Sequence, residues 1–160
     1  FPVETWNQDL AVGLTGAYLC AKHFGAKIAQ NPSGGSIINI SSDLGVIAPD
    51  QRLYRKEGLP EDQQPVKPVT YSVVKTGLIG LTRYLATYWA DKGIRVNTLT
   101  PGGVESGQNE EFKRRYAARI PMERMGEASE MVGALLYLAS DASSYVTGHN
   151  LIIDGGLNCV

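Results

Sequence analysis

The sequence predicts an α/β fold, a parallel sheet flanked by helices. Two observations carry that expectation. Amphipathic helical runs alternate with short β-branched runs, in the order helix, strand, long loop, helix, strand, short helix, helix, strand. Each strand run also stops at a small-residue turn: Ser41-Ser42, Pro101-Gly102-Gly103 and Asp154-Gly155-Gly156. Ligands of open parallel sheets bind at that carboxyl edge, so these three turns mark where a site is expected. The 160 residues suffice for one domain with a sizeable core.

Residues from about Thr5 to Gln30 read as the first helix, with Thr5 as N-cap and Gln8 at capping-box spacing. Trp6, Leu10, Leu14, Tyr18 and Ala21 form its apolar stripe. Asn31 to Gly35 is a turn cluster. Ser36-Ile37-Ile38-Asn39-Ile40-Ser41-Ser42 reads as a buried strand with two hydroxyls at its end. Serines at strand ends commonly satisfy local backbone groups, so those hydroxyls have a bland reading beside a catalytic one.

Gly45 to Pro68 is irregular, with four further residues of Pro or Gly type at Pro49, Gly58, Pro60 and Pro65. A loop this long is expected to be a functional lid or a solvated insertion. Val69 to about Asp91 is the second helix, striped by Val74, Leu78, Leu81, Leu85 and Trp89 and closed by Gly93. Ile94 to Thr100 is the second strand. Ser106 to Arg119 reads as a short helix with Phe112, Tyr116 and Ile120 on one stripe. Ala128 to Leu138 is another, with Met131, Leu135 and Leu138 inward. Leu151-Ile152-Ile153 is the third strand.

The net charge of −1 offers no field for nucleic acid or an anionic membrane, so neither is expected as a partner. Lys113-Arg114-Arg115 is balanced by Glu110 and Glu111. Cys20 and Cys159 match no metal spacing, and Cys20 is expected to pack as a small hydrophobe. A reducing cytoplasm is the simplest location. No run is apolar enough to span a bilayer, and none reads as a signal peptide. His23 and His149 lack metal-type partners. The opening Phe1-Pro2-Val3-Glu4, without an initiator Met, is expected of a fragment or a processed chain.

The chemistry centres on Tyr71-Ser72-Val73-Val74-Lys75. A helix brings residues i and i+4 onto one face, about 5–6 Å apart at Cβ. A lysine near a phenol favours the phenolate and so makes the tyrosine a usable acid–base group. The same spacing arises by chance in many helices, so its weight depends on the neighbouring motifs.

Those motifs are Asn39-Ile40-Ser41-Ser42-x-x-Gly45, Tyr71-x-x-x-Lys75, Arg95-Val96-Asn97, Pro101-Gly102-Gly103-Val104 and Thr147-Gly148-x-x-Leu151-x-Ile153-Asp154-Gly155-Gly156. In this order they resemble the classical short-chain dehydrogenase/reductase family over essentially the whole chain. The resemblance implies a Rossmann-type parallel sheet that binds NAD or NADP, and hydride transfer with a small carbonyl or alcohol substrate. It implies Tyr71 as catalytic acid–base, Lys75 as its pKa-lowering and ribose-binding partner, and Ser42 as the hydroxyl that polarises substrate, with Ser41 as second choice. It implies that Pro101, Gly102, Val104 and Ser106 meet the cofactor. Homodimers or homotetramers are also implied.

Three departures accompany the resemblance. The family's TGxxxGxG turn and Asn-Asn-Ala-Gly segment are not found here, so residues 1–160 are expected to form the carboxyl part of one such domain, without its first βαβ units. The isolated chain is then expected to bind cofactor weakly. Gly13 stands where the family has a helical asparagine of a proton relay. Residues 46–68 form an insertion between Ser42 and Tyr71 that is expected to lie over substrate, where Arg52, Tyr54, Arg55 and Lys56 would suit a sugar or sugar phosphate. The segments Val46 to Asp50, Pro101 to Gly103 and Gln108-Asn109 also resemble bacterial oxidoreductases of surface-sugar and flagellin modification. The rival expectation is a non-catalytic scaffold or truncated remnant. An epimerase or dehydratase of the extended family is a third, disfavoured by the Pro-Gly turn and the Asp154-Gly155-Gly156 end.

Overall fold

A computed structural model describes residues 1–160. Its sheet holds β1 (Gly35–Ile40), β2 (Ile94–Pro101) and β3 (Asn150–Ile153), all parallel, in that order. Gly35 lies opposite Ile94 and Ile40 opposite Leu99, while Thr98 faces Asn150 and Pro101 faces Ile153. This register brings the three small-residue turns to one edge, as the sequence predicts.

Four helices cover the sheet. α1 spans residues 3–28 and includes two π-type turns, Ala11–Thr15 and Ala21–Gly25. α2 is Val69–Tyr88, α3 is Glu110–Ala117 and α4 is Ala128–Ala139. Thr82 of α2 accepts from Asn39 and Thr98. The carbonyl of Leu138 in α4 instead accepts from Ser36 and Arg95. Ser36 and Asn39, like Arg95 and Thr98, are an odd number of positions apart, so α2 and α4 take opposite faces of the sheet. β2, between its two neighbours, is buried along nearly its whole length.

The main core lies under α2. Ala21, Leu85, Ala86, Trp89, Ile94 and Val96 form one cluster, with Ile28 and Ile37 packed on it. Gly93 then reverses the chain in the left-handed region at φ 68°, matching its expected place after the helix. A second cluster of Leu53, Tyr116, Ile120, Met125 and Leu157 anchors the long insertion to α3 and the carboxyl end.

Several local expectations are corrected. α1 starts at Val3 with Pro2 as its cap, because an extended proline already sets the entry, and Thr5 caps nothing. Tyr18 and Cys20 are exposed rather than packed. α1 leans on α2 through Gly13, set against Val74, and through Leu14, set against Gly77, which turns Tyr18 and Cys20 outward. Leu135 of α4 is exposed for a similar reason, since Leu138 alone is fully buried on that helix. α3 begins at Glu110, not Ser106, because the Asn109 side chain accepts from Phe112 N–H and starts it there.

No helix is long and apolar enough to cross a membrane. Trp89 closes the α1–α2–β2 core, so Trp89→Ala is expected to lower unfolding free energy by about 3–5 kcal/mol. Urea denaturation checks this, and an unchanged midpoint contradicts the core assignment.

Candidate active site

β1 ends at Ile40, and the next two serines part ways. Ser41 Oγ donates to the Lys75 carbonyl at 2.8 Å and so ties the strand end to α2. Ser42 caps a tight turn over Asp43–Gly45, accepting from Leu44 N–H and donating to Asp43 Oδ1 at 2.6 Å. Gly45 is the residue this turn requires. A Cβ there would lie 2.7 Å from Ser41 Oγ and 2.9 Å from the Lys75 backbone. Thr76 Oγ1 donates to the Gly45 carbonyl at 2.9 Å and completes the joint.

Tyr71 and Lys75 occupy the first two turns of α2. Lys75 Nζ donates to the Ile40 carbonyl at 3.0 Å and stands 5.7 Å from the centre of the Tyr71 ring. Burial pushes the Lys75 ammonium below its ordinary pKa, and the charge of Lys67 adds to that. Behind the pair, a cavity of about 250 Å³ is lined by Asp9, Gly13, Thr70 and Val74 among others. A Cβ at Gly13 would meet Val74 Cγ1 at 2.6 Å, so the space an asparagine would need is filled by helix packing. Thr70 instead donates to Asp9.

In front of the pair, a cavity of about 380 Å³ opens at the carboxyl ends of β1 and β2. Ser42, Tyr71, Lys75, Pro101, Gly102 and Val104 all line it, as the sequence predicts. Ser106 does not. It is exposed, and both its N–H and its Oγ bond to the side chain of Gln108, which lines the cavity in its place. The glycines of the Pro-Gly-Gly turn also serve nearer neighbours than a ligand. A Cβ on Gly102 would lie 2.8 Å from Asp154, and one on Gly103 would lie 2.3 Å from the Tyr116 ring.

Three contributors escaped the sequence reading. Asp43 is 4% exposed and accepts from Ser42, from Leu44 N–H and from Tyr116 OH. Tyr116 accepts in turn from Gly103 N–H at 2.9 Å. A continuous chain of hydrogen bonds therefore joins Ser42 to the Pro-Gly-Gly turn. Burial and the Asp43 carboxylate push the Tyr116 phenol far above its ordinary pKa, so it stays a donor. The third is Lys67, whose ammonium lies 3.8 Å from the centre of the Tyr71 ring. Tyr116 alone left a hint, since a tyrosine on an inward stripe needs a partner for its hydroxyl.

The insertion roofs this cavity with Tyr54, whose ring packs on Phe112 at 5.9 Å. Of the other insertion residues expected over substrate, none faces inward. Arg52 grips Asp50, holding that carboxyl at about 2, Arg55 pairs with Glu61, and Lys56 is exposed. A phenol, an ammonium and a serine hydroxyl around one cavity can hold a carbonyl or alcohol oxygen and exchange a proton with it.

The parallel sheet carries a polar cavity at its carboxyl edge, where open α/β sheets take their ligands. Residues 62–158 match a model described as enoyl-(acyl carrier protein) reductase, and the chain belongs to the short-chain dehydrogenase/reductase family. It is 40% identical over 168 residues to a ribulose-forming D-arabinitol 2-dehydrogenase of Candida tropicalis, covering 99% of this chain and 54% of that protein. It is 37% identical to an NADP-dependent mannitol dehydrogenase of Alternaria alternata, covering 96% and 53%. A short-chain dehydrogenase from Leptospira borgpetersenii with bound NAD+ superposes with a TM-score of 0.88 at 36% identity, covering 99% and 58%. A gluconate 5-dehydrogenase from Burkholderia cenocepacia in complex with NADP and tartrate gives 0.84 at 28%, covering 100% and 58%. The chain thus spans about half the length of the curated relatives it matches.

Tyr116→Phe removes a donor to Asp43 and the acceptor of Gly103 N–H. It is expected to cost about 1–3 kcal/mol of stability, the range for stranding a buried polar group. Chemical denaturation measures it, and a loss near zero contradicts the chain of bonds described.

Proposed function

We propose that the protein is an NAD(P)-dependent oxidoreductase that moves hydride between nicotinamide and a secondary carbonyl/alcohol carbon of a polyhydroxylated small molecule. The observation that carries this reading is the convergence of Ser42, Tyr71 and Lys75 on one cavity at the carboxyl ends of β1 and β2. Similarity to polyol dehydrogenases and to a gluconate dehydrogenase supports a sugar-derived substrate.

The residues present suit the nicotinamide end of such a cofactor. Pro101 to Val104 give a backbone floor beside Lys75, whose ammonium would hold a ribose hydroxyl. The cofactor supplies hydride acceptance or donation. Ser42 holds the substrate oxygen. Its own proton is directed at Asp43 in the structure, and turning from Asp43 lets Ser42 donate it to the substrate oxygen, which leaves the alcohol O–H for Tyr71. Tyr71 takes the alcohol proton during oxidation and returns it during reduction. Lys75 is fixed beside it on the Ile40 carbonyl. Ser106 would have to leave Gln108 to meet the cofactor.

A scaffold without catalysis is the second reading, favoured by the packing of Gly13 against Val74 where the relay asparagine is expected. Titration with NADH, followed by nicotinamide fluorescence, separates the two. Association into homodimers or homotetramers fits the exposed Tyr18 and Phe24 of α1 and the exposed Tyr84 and Tyr88 of α2. A reducing, cytoplasmic setting fits two free thiols.

Tyr71→Phe is expected to lower kcat by about 10²-fold or more, as for loss of a general acid–base group, with an unchanged circular dichroism spectrum. Near-normal turnover would remove Tyr71 from the mechanism.

A further inference from the structure

The cavity in front of Tyr71 holds one cation that the proposed chemistry leaves unused. Lys67 precedes α2, and its backbone N–H is fixed by Gln51 Oε1 at 2.8 Å. Its ammonium lies 3.8 Å from the centre of the Tyr71 ring and 6.0 Å from that of Tyr54, between two aromatic side chains. Its Nζ makes no hydrogen bond and no ion pair. Partial burial pushes its pKa down, which records the lost hydration.

The other charged groups at the cavity are already engaged. Lys75 donates to the Ile40 carbonyl. Asp43 attracts Lys67 at longer range, but its two oxygens take Ser42, Leu44 N–H and Tyr116 OH. Two lysines against one aspartate leave the cavity with one positive charge in excess. A partly desolvated ammonium without a counter-ion is a costly arrangement that a bound anion relieves. A neutral polyol would leave it unrelieved.

We propose that Lys67 is the specificity-determining residue of this site and reads an anionic group on the substrate, so that the preferred substrate is an acidic polyhydroxy compound. The anion is a carboxylate or a phosphate ester on the same molecule as the reacting carbinol or carbonyl. Lys67 holds that end while Ser42 and Tyr71 hold the reacting oxygen. The assignment rests on the dehydrogenase reading above and adds the substrate's charge to it.

The test compares the wild-type protein with Lys67→Met on D-gluconate, sorbitol 6-phosphate, D-arabinitol and D-mannitol. Steady-state kinetics with NAD+ and NADP+ are paired with calorimetric binding that needs no turnover. At least one anionic compound is expected to be favoured by the wild type. Lys67→Met should then raise its KM and Kd by about ten-fold or more, as for a lost charge-assisted hydrogen bond, and raise those of the neutral polyols far less. The two anions differ in which is favoured, and that identifies carboxylate or phosphate. An equal loss on neutral and anionic compounds would show Lys67 acting through Tyr71 and would overturn the proposal, as would no loss at all or a wild type that favours the neutral polyols. Anion binding that depends on Lys67 without any turnover would uphold the anion site and defeat the dehydrogenase reading instead.

Discussion

The joint between the end of β1 and the start of α2 is the constraint on which the site depends. Ser41 reaches the Lys75 carbonyl, Lys75 reaches the Ile40 carbonyl, and Thr76 reaches the Gly45 carbonyl. Each bond crosses more than thirty residues of sequence. Together they hold the strand end and the first turns of the helix in one geometry, whatever the chain between them does. The joint is close enough that position 45 must be glycine. It also explains how an insertion as long as 46–68 can sit between Ser42 and Tyr71 without pulling them apart: its two ends are clasped.

The insertion is not left to solvent. Leu53 is buried against Tyr116, Ile120, Met125 and Leu157, and Arg115 donates to the Arg55 carbonyl. Gln64 holds the backbone of Lys56 and Leu59. The same Tyr116 that receives Leu53 also binds Asp43 and Gly103. One buried tyrosine therefore links the roof of the cavity, the serine side and the Pro-Gly-Gly floor. The chain of bonds from Ser42 to Gly103 orients the serine hydroxyl from below, while Tyr54 and Lys67 close the cavity from above.

Much of this was legible in the sequence because period and punctuation fix parallel α/β units. The three strands, α2 and its Gly93 stop lie where their patterns place them, and the residues singled out by the family resemblance, Ser42, Tyr71, Lys75 and Pro101 to Val104, line one cavity. Helix starts were less legible, since Pro2 displaced the cap expected at Thr5 and Asn109 the helix start expected at Ser106. Exposure on α1 failed at Tyr18 and Cys20 because a periodic stripe tells which residues share a face, not how much of that face is covered. Asp43 and Lys67 carried no signal at all. Their roles arise from contacts with residues more than seventy positions away, as for Asp43 and Tyr116, or from how the insertion's end lies over an aromatic ring. The cations the sequence offered for substrate, Arg52, Arg55 and Lys56, have partners or solvent instead, and only a folded loop reveals that.

The proposed chemistry puts a substrate carbon against nicotinamide in the cavity beside Tyr71 for hydride transfer. It is tested most directly by incubating the protein with NAD+ or NADP+ and a polyhydroxy substrate deuterated at its secondary carbinol, then measuring the reduced nicotinamide by mass spectrometry. Deuterium is expected on the nicotinamide ring in wild type and none with Tyr71→Phe in the same time. Reduced nicotinamide without label, or label that survives loss of the Tyr71 hydroxyl undiminished, would contradict it.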